Sequence, residues 1–418
     1  MTSGGEGRTV RLTSVEQTYF RRGFGLKGRI EGALTADYHS RLVDRLRERG
    51  YVLAAGELTF KLAREFGFCY GVDRAVEYAY ETRAQFPDRR LFLVGEIIHN
   101  PHVNNKLRSM GVEFLHRHEG GEFDFGAVTP GDVVILPAFG VTVKDLERLR
   151  ALSPVLVDTT CGSVLNVWKR VESYARDGFT AVIHGKYHHE ETKATASQVT
   201  RHPTGRYLVV RDMVEARAVC GYIEEAGSKE QFLDRFSERM SPGFDPDHDL
   251  ERVGVANQTT MLSNESLAIA AELRSSVVRR YGETALADHF RSFDTICSAT
   301  QDRQDAVLKL IAERLDLMVV IGGYNSSNTT HLAAICDGKV PTYHVEDATC
   351  IDPETATIRF RPVGGTAEER RAGWLPLGPL AIGITAGAST PNNKIGETLE
   401  RIAAARGVSL EAALNAAS

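Results

Sequence analysis

The sequence passes three times through one pattern, and this repeat constrains the fold more than any other feature. Each pass opens with a cysteine beside small or turn-forming residues: Cys69 in GFCYGVDRA, Cys161 in DTTCGSV and Cys297 in DTICSAT. A helical stretch follows, then an apolar strand (LFLVGEII, FTAVIHG or LMVVIGG) and a polar loop (EIIHNPHVNN, KYHHEETKAT or YNSSNTTHL). Repetition of this kind indicates one structural unit that recurs along the chain.

A further strand in each pass ends in a loop of small residues: DVVILPAFGVT, RVGVANQTTML and LAIGITAGAST. Strands that alternate with helices predict βαβ units and an α/β fold. In open α/β sheets, ligands bind where the strands end. We therefore predict three small α/β units, packed with pseudo-threefold symmetry around one central site.

The same pattern divides the chain into segments. We expect an N-terminal extension at residues 1–65, with a helical stretch near Tyr38 to Arg49. Three α/β units follow, and the chain ends in a tail; the predicted ranges are 66–160, 161–296, 297–400 and 401–418. The second unit carries an insertion near residues 220–250, because CGYIEEAGSKEQFLDRFSERMSPGFDPDHDL predicts a surface helix and a Pro/Gly/Asp loop there.

Composition excludes several classes of function. A formal net charge of −5 over 418 residues argues against bulk nucleic-acid binding. No run approaches the roughly 18 apolar residues of a membrane span, and the first residues lack the apolar stretch of a signal peptide. Six cysteines are too few for a secreted disulfide scaffold. We therefore expect a cytoplasmic protein that does not bind membranes, and in that compartment placed cysteines indicate metal binding or catalysis.

Three cysteines head the repeats, whereas Cys220, Cys336 and Cys350 do not. A symmetric point lined by three thiolates predicts a metal site, and iron–sulfur clusters are held by thiolates. Three thiolates on a four-iron cluster leave one iron open for chemistry. A Cys₃His zinc site remains an alternative, with His99 and His189 as nearby candidates.

Eight stretches, in order, resemble the 4-hydroxy-3-methylbut-2-enyl diphosphate reductase family: GFCYGVDRA, GEIIHNPHVNN, VDTTC, HGKYHHEETKATASQ, ANQTTML, TICSATQDRQ, GGYNSSNTTHL and TAGASTP. The resemblance covers nearly the whole chain after residue 65 and favours the branch found in plants and cyanobacteria. It implies a three-domain trefoil with one [4Fe–4S] cluster per chain, on Cys69, Cys161 and Cys297. It also implies reductive removal of the substrate's hydroxyl group to give isopentenyl and dimethylallyl diphosphate, with electrons from a ferredoxin or flavodoxin.

A diphosphate substrate requires many hydrogen-bond donors. NSSN supplies serine and asparagine side chains in a loop entering a helix, whose free N–H groups suit an anion, and TAGAS adds another serine beside a glycine. The resemblance implies that six residues bind the diphosphate: His99, His189, Ser326, Ser327, Asn328 and Ser389. The histidines would contribute positive charge or a donor at neutral pH.

The hydroxyl group needs a proton to leave as water. By the same resemblance Glu191 in HHEET is the proton donor, and a register shift of one residue would exchange it with Glu190. Thr259 in NQTT matches the threonine that contacts the substrate hydroxyl or its water network. Phe139 departs from the family, because many members have a histidine there that touches the diphosphate. Gly162 stands where proline is common.

Other interpretations remain. Another three-cysteine iron–sulfur enzyme, such as a quinolinate synthase-like dehydratase, would lack the NSSN, TAGAS and HHEET set. A zinc-stabilised binding module without catalytic activity is the other alternative. GFGLKG (Gly23 to Gly28) has the glycine spacing of a dinucleotide loop but follows no convincing strand and opens no clear helix, so we assign it no cofactor.

Overall fold

Strands and helices alternate along the chain, which confirms the α/β fold class. The structure is a computed structural model and describes residues 18–118, 121–224 and 227–416. Its strands, in chain order, are β1 (Tyr19–Phe20), β2 (Val52–Ala55), β3 (Leu58–Leu62), β4 (Leu91–Val94), β5 (Val112–Leu115), β6 (Val133–Leu136), β7 (Val155–Asp158), β8 (Thr180–His184), β9 (Tyr207–Val210), β10 (Val253–Asn257), β11 (Phe290–Ser292), β12 (Leu317–Ile321), β13 (Thr342–Val345), β14 (Ile351–Asp352), β15 (Thr357–Phe360), β16 (Glu369–Ala372) and β17 (Leu380–Ala386).

The α-helices lie between these strands and at the ends of the described chain. In chain order they are α1 (Lys27–Tyr38), α2 (Arg41–Glu48), α3 (Tyr70–Gln85), α4 (Pro101–Ser109), α5 (Val143–Leu152), α6 (Gly162–Arg176), α7 (Glu190–Ala196), α8 (Met213–Ile223), α9 (Lys229–Phe236), α10 (Pro246–Asp249), α11 (Ser263–Tyr281), α12 (Leu286–His289), α13 (Ser298–Ile311), α14 (Ser327–Cys336), α15 (Asn392–Ala404) and α16 (Leu410–Ala416). None of the helices among the described residues has both the length and the apolar content that crossing a membrane requires.

The first sheet is parallel throughout, in the order β1-β7-β6-β4-β5. Strands β4, β6 and β7 are buried at every position, as expected for a parallel sheet covered by helices on both faces. Leu93 and Ile135 pack with Ala79 of α3 on one face. Phe92 packs with Leu149 of α5 on the other.

The second sheet is also parallel throughout, and the third is parallel except for its edge strand β2. The second runs β11-β10-β8-β9, all parallel, and Ile183 packs against Val171 of α6. The third runs β13-β12-β17-β3-β2, and Val320 packs against Val307 of α13. A small antiparallel sheet, β14-β15-β16, is attached to the third unit. In each unit, therefore, the helix that follows the repeat cysteine covers one face of that unit's sheet.

The predicted N-terminal extension is not a separate segment in the structure. Strand β3 pairs in parallel with β17, and β2 forms an antiparallel hairpin with β3, so residues 52–62 complete the third sheet. Strand β1 pairs with β7 of the first sheet. Because backbone groups of a sheet edge need partners, these residues close the edges of two units. The part of this prediction that concerns residues 1–17 lies outside the described residues.

The predicted C-terminal tail also differs from the structure. Helix α15 runs through residue 400 without a break, and α16 packs on β2. Leu410 and Leu414 are 4% and 3% exposed within the core of the third sheet. Residues 401–416 are therefore part of the third unit, because their apolar side chains fill its core.

The predicted insertion near 220–250 contains α9 and α10, while Cys220 belongs to the preceding helix α8. Phe232 and Phe236 of α9 are buried against Phe244 and the second sheet's core. The remaining face of α9 is exposed, so the insertion is an amphipathic helix that extends this core.

Candidate functional site

The three repeat cysteines occupy equivalent positions in the fold. Cys69, Cys161 and Cys297 are the residues immediately before helices α3, α6 and α13, each in extended backbone conformation. All three are free thiols and partly buried. They line one cavity of about 110 Å³ between the three units.

This cavity brings together every site residue predicted from the sequence. Besides the cysteines its wall contains His99, His189, Glu191, Thr259, Ser326, Ser327, Asn328 and Ser389. Each side chain comes from a loop or helix start at the end of a strand, which is where an α/β sheet presents its ligand groups. The other three cysteines are buried elsewhere: Cys220 within α8, Cys336 at the end of α14 and Cys350 before β14.

The sulfur atoms lie among hydrogen-bond donors. Burial raises the pKa of the Cys69 and Cys161 thiols, while backbone N–H groups of Val72 and Ser163 oppose that shift by favouring the thiolates. The Ser163 hydroxyl donates to Cys297 Sγ at 3.4 Å, which links the second unit to the third. A Cβ atom at Gly71 would lie 2.5 Å from Cys161 Sγ, so only glycine allows this close approach of α3.

Three thiols from three separate units are a donor set that suits an iron–sulfur cluster. Zinc bound at about 2.3 Å to each sulfur needs ligands gathered around one point. Among the described residues, no group of three or more His, Cys, Asp or Glu side chains is arranged to hold one metal ion. A four-iron cluster takes each thiolate on a different iron, so its cysteines stand wider apart around a cavity. Cys69, Cys161 and Cys297 come from three separate units and line one cavity, which is compatible with that arrangement.

Glu191 is buried in the first turn of α7. It is 3% exposed, and its Oε1 accepts a hydrogen bond of 2.6 Å from the backbone N–H of Thr259. Burial raises the pKa of this carboxyl group, and the Thr259 contacts oppose the rise only in part. A carboxyl group in this environment can hold a proton at a higher pH than an exposed one.

His189 caps the helix that carries Glu191. Its Nδ1 accepts a hydrogen bond of 3.1 Å from the Glu191 backbone N–H. Burial, with the nearby His99, Lys186 and other cationic side chains, lowers the pKa of His189 to about 3. The ring is therefore neutral near pH 7 and presents Nε2–H, so of the two expected contributions, positive charge or a donor, His189 offers the donor.

Glu190 points away from this cavity. Its Oε2 forms an ion pair of 2.6 Å with Arg117 Nη2, and both residues line a neighbouring cavity of about 260 Å³. The residues on either side of one peptide bond therefore face different spaces. Of the two glutamates, only Glu191 lines the cavity with the cysteines.

The NSSN and TAGAS loops add buried polar groups to the wall of the cavity. Ser326, Ser327, Asn328 and Ser389 are each less than 8% exposed. Asn328 Oδ1 accepts from the Ala388 N–H at 2.9 Å, which joins the two loops. Ser327 Oγ and Asn328 Nδ2 have no partner within the described chain. Since a buried donor left unpaired costs about 1–3 kcal/mol, these groups indicate a polar ligand.

His99 is held by two contacts. Its Nδ1 lies 2.9 Å from Glu96 Oε2, and its ring stacks on Phe139 with centroids 4.7 Å apart. Because a carboxylate only accepts, Nδ1 carries the proton of this contact. Nε2 is buried and has no partner within the described residues. Phe139, where many family members have histidine, thus supports the His99 ring and contributes no polar atom of its own.

Arg303 was not predicted from the sequence. It is 4% exposed, and its guanidinium donates to the Gly67 carbonyl at 2.6 Å, where its charge opposes the rise in the Cys69 pKa. The sequence does contain a feature that could have identified this residue. Arg303 lies on the buried face of α13, in line with Ala306, Val307 and Leu310. A cation in an apolar stripe indicates a buried partner.

The glycine loop GFGLKG lies elsewhere and binds a group of its own chain. Contrary to the sequence interpretation, it follows a strand, β1, and opens a helix, α1. The backbone N–H groups of Phe24 and Leu26 donate to the Glu81 carboxylate, both at 2.6 Å. Glu81 is 2% exposed and fills the position that a phosphate would take in a dinucleotide site. The loop is therefore a structural anchor.

Comparisons with known proteins identify the family of the chain. A family model described as LytB protein matches residues 60–403. A curated relative from a Synechococcus strain, named 4-hydroxy-3-methylbut-2-enyl diphosphate reductase, is 49% identical over 385 residues, 92% of this chain and 95% of the relative. A relative of the same name from Gloeobacter violaceus is 48% identical over 406 residues, 96% of each chain.

Solved structures are similar as well. One, described as the (E)-4-hydroxy-3-methyl-but-2-enyl diphosphate reductase that ends the non-mevalonate pathway, has a TM-score of 0.50 and 28% identity. The match covers 82% of this chain and 98% of the solved chain. A second is described as the E-1-hydroxy-2-methyl-but-2-enyl-4-diphosphate reductase from Plasmodium falciparum, with a TM-score of 0.60 and 20% identity. The match covers 81% of this chain and 86% of the solved chain, and at this identity it supports the fold. The resemblance found in the sequence is confirmed, and the chain belongs to the LytB family.

Proposed function

We propose that this chain removes the hydroxyl group of (E)-4-hydroxy-3-methylbut-2-enyl diphosphate reductively, giving isopentenyl diphosphate and dimethylallyl diphosphate. The reaction is the last step of the non-mevalonate pathway to isoprenoids. It consumes two electrons and two protons and releases one water. The observation that carries the proposal is one cavity whose wall combines three thiols, a buried carboxyl group and unpaired hydrogen-bond donors. Relatives named for this activity match over nearly the whole chain.

Cys69, Cys161 and Cys297 would hold one [4Fe–4S] cluster. When bound, the cluster supplies single electrons and one iron without a cysteine ligand, which can act as a Lewis acid. The chain supports this assignment with N–H and hydroxyl donors directed at the sulfurs. Such hydrogen bonds are among the features that tune the potential of an iron–sulfur cluster.

The NSSN and TAGAS loops, with the two histidines, would bind the diphosphate. Ser327 and Asn328 offer donors that lack partners within the described chain, at the first turn of α14. Ser326, Ser389, His99 and His189 line the same cavity. A helix start attracts anions through its free N–H groups and its dipole. A bound diphosphate would favour the protonated form of His189, because an adjacent anion stabilises the cation.

Glu191 would deliver the proton with which the hydroxyl leaves as water. Its burial favours the protonated carboxyl, and the contact from Thr259 fixes its orientation. Thr259 also lines the cavity and would contact the substrate hydroxyl. A positioned acid of this kind contributes about 10²–10⁴-fold to a rate.

Electrons would come from a separate protein, a ferredoxin or a flavodoxin. The one glycine loop that suggested a dinucleotide site is filled by Glu81. The six free cysteines suit a reducing compartment, and we place the enzyme in the cytoplasm.

The test is turnover under anaerobic conditions. Purified protein with a reconstituted cluster is mixed with the substrate and with dithionite-reduced methyl viologen, and the two diphosphate products are quantified. We expect brown protein, and formation of both products at two viologen electrons per product. A brown, folded protein that binds the substrate but releases neither product would refute the proposed function. The quinolinate synthase-like alternative predicts no consumption of this substrate.

A further inference from the structure

A second, larger cavity opens on the surface beside Cys69. This groove, which we call the Tyr70 groove, has a volume of about 860 Å³ and is separate from the central cavity. Its lining comes from the N-terminal helices, from α3 and from the start of α15: Arg22, Lys27, Leu34, Thr35, Tyr38, His39, Arg47, Phe68, Tyr70, Asp73, Arg74, Val76, Glu77, Tyr78 and Asn392. The proposed chemistry of the central cavity uses none of these side chains.

The Tyr70 groove carries positive charge on a chain whose net charge is negative. Four cationic side chains line it, against the carboxylates of Asp73 and Glu77. Lys27 is 68% exposed and lies 3.5 Å from Glu77, a weak contact in water. Within the described residues, Arg22 and Arg74 have no carboxylate partner; the Arg74 guanidinium contacts Tyr78 and the Arg21 carbonyl. Arg47 lies 3.5 Å from Asp44, so the positive charge available to a ligand from solution rests mainly on Arg22 and Arg74.

An exposed aromatic ring stands in the same groove. Tyr70 is 79% exposed, which is unusual for a large ring that begins a helix. Phe68 lines the groove on the other side of Cys69. The residues before and after Cys69 therefore face the groove while its thiol faces the central cavity. One residue of backbone separates the two spaces.

We propose that the Tyr70 groove is the docking site for the electron donor, a small acidic protein that carries a one-electron centre. The inference rests on the proposed function and deepens it. Each docking event would move one electron from the reduced donor to the cluster through the Cys69 segment, leaving the donor oxidised. Two such events supply the two electrons of one product.

The groove suits an acidic protein better than a small anion. A small phosphate compound is normally held by buried, convergent donors, as on the wall of the central cavity. Here the cations are spread along an open surface around an aromatic side chain, an arrangement typical of protein interfaces, where Tyr and Arg are enriched. Rim charges of this kind act chiefly on the association rate, which they raise most at low ionic strength.

The N-terminal segment supplies part of the lining of the Tyr70 groove, which would give this segment a role in binding the electron donor. Arg22, Lys27 and Arg47 come from the segment before the first repeat, for which the sequence suggested no function. Arg47 packs over the Phe66 ring and lies 3.4 Å from Asn392 Oδ1, so it is held in place by neighbouring units. Residues 18–49 would thus form one side of a partner-binding surface.

The test uses the holoenzyme and a plant-type [2Fe–2S] ferredoxin of acidic isoelectric point. The variant reverses two exposed charges of the groove, Arg22→Glu with Lys27→Glu. Its matched control makes the same change in charge on the second unit, Arg217→Glu with Arg235→Glu, both exposed residues outside the groove. Binding of oxidised ferredoxin is measured by calorimetry at low and at physiological salt. Turnover is measured with ferredoxin and, separately, with reduced methyl viologen.

We expect the groove variant to weaken ferredoxin binding and to raise the KM for ferredoxin by at least about tenfold at low salt. Its rate with methyl viologen and its cluster absorbance should match those of the wild type, and the control variant should keep most of its affinity. Equal loss in both variants, or unchanged ferredoxin affinity in the groove variant, would overturn the assignment. The binding measurement needs no turnover, so its result stands apart from a failure of the proposed reaction.

Discussion

At the residue scale, Glu190 and Glu191 differ in environment although they are neighbours in sequence. Glu191 is buried beside Thr259, whereas Glu190 is paired with Arg117. The sequence could not separate them, since the rotation of two residues at a helix start depends on the cap. Here the cap is His189 Nδ1, a contact visible only in three dimensions. The sequence did predict that the HHEET loop lies beside the three repeat cysteines.

Replacing Glu191 tests its role as the acid. Glu191→Gln keeps size and hydrogen bonding but cannot donate a proton of comparable acidity. We expect product formation to slow by at least ~10²-fold, while the visible absorbance of the cluster and the affinity for substrate are retained. Glu190→Gln is the matched control and should retain most of the activity, since its carboxylate lies outside the cavity. Reversed behaviour of the two variants would contradict the assignment.

The pH dependence of the reaction reports the same carboxyl group. Burial raises the pKa of Glu191 above its usual value, so the protonated acid persists to a higher pH. As the pH rises through that raised pKa the proton is lost and kcat should fall. Glu191→Gln has no group to titrate and should lose this limb of the profile. An unchanged limb in the variant would assign the titration to another group.

Because the Ser327 hydroxyl has no partner within the described chain, we expect its removal to weaken diphosphate binding without lowering the stability of the fold. Ser327→Ala removes no hydrogen bond within the described chain and should leave Tm nearly unchanged. It should weaken binding of inorganic diphosphate by about tenfold, the effect of losing one buried donor. Ser276→Ala is the control, because Ser276 Oγ is buried and donates to the Cys220 carbonyl at 3.0 Å. That variant should lower Tm and keep its affinity; the opposite outcome would remove Ser327 from the site.

At the element scale, the chain repeats one arrangement in which a cysteine ends a loop and a helix begins. The strands β4, β8 and β12 could be predicted because each is built around a continuous apolar run, which in β8 is the central Ala-Val-Ile. Strands β1, β2 and β3 could not be placed, because local pattern does not identify a distant partner. Strand β3 pairs with β17, more than 300 residues further along the chain. Long-range pairing of this kind is set by core shape and by the closing of sheet edges.

Cysteine replacements distinguish the helix starts from other positions. Cys297→Ala removes a thiol from the central cavity and should leave protein without a stable [4Fe–4S] cluster, with loss of brown colour and of bound iron. Cys336→Ala is the control, because Cys336 is fully buried in α14 and does not line the cavity. It should keep its iron content while losing some stability to the cavity created. Iron retained by Cys297→Ala and lost by Cys336→Ala would refute the repeat assignment.

At the scale of the whole molecule, both ends of the described chain complete units that begin elsewhere. The third sheet takes β2 and β3 from before the first repeat, and its core takes α16 from the C-terminus. Helix α2 packs on α15, so the two ends also contact each other. The NSSN and TAGAS loops extend from this same sheet, at the ends of β12 and β17. The wall proposed to bind the diphosphate therefore rests on a unit assembled from distant parts of the chain.

This assembly makes the last helix a determinant of stability. Leu410 and Leu414 are almost fully buried, and a buried leucine typically contributes about 2–5 kcal/mol against alanine. The double variant Leu410→Ala with Leu414→Ala should lower the free energy of unfolding by at least about 4 kcal/mol, as measured by urea denaturation of the protein with its cluster. Glu411→Ala, an exposed change in the same helix, is the control and should fall within about 0.5 kcal/mol of the wild type. If residues 401–418 were a dispensable tail, both variants would unfold at the same urea concentration.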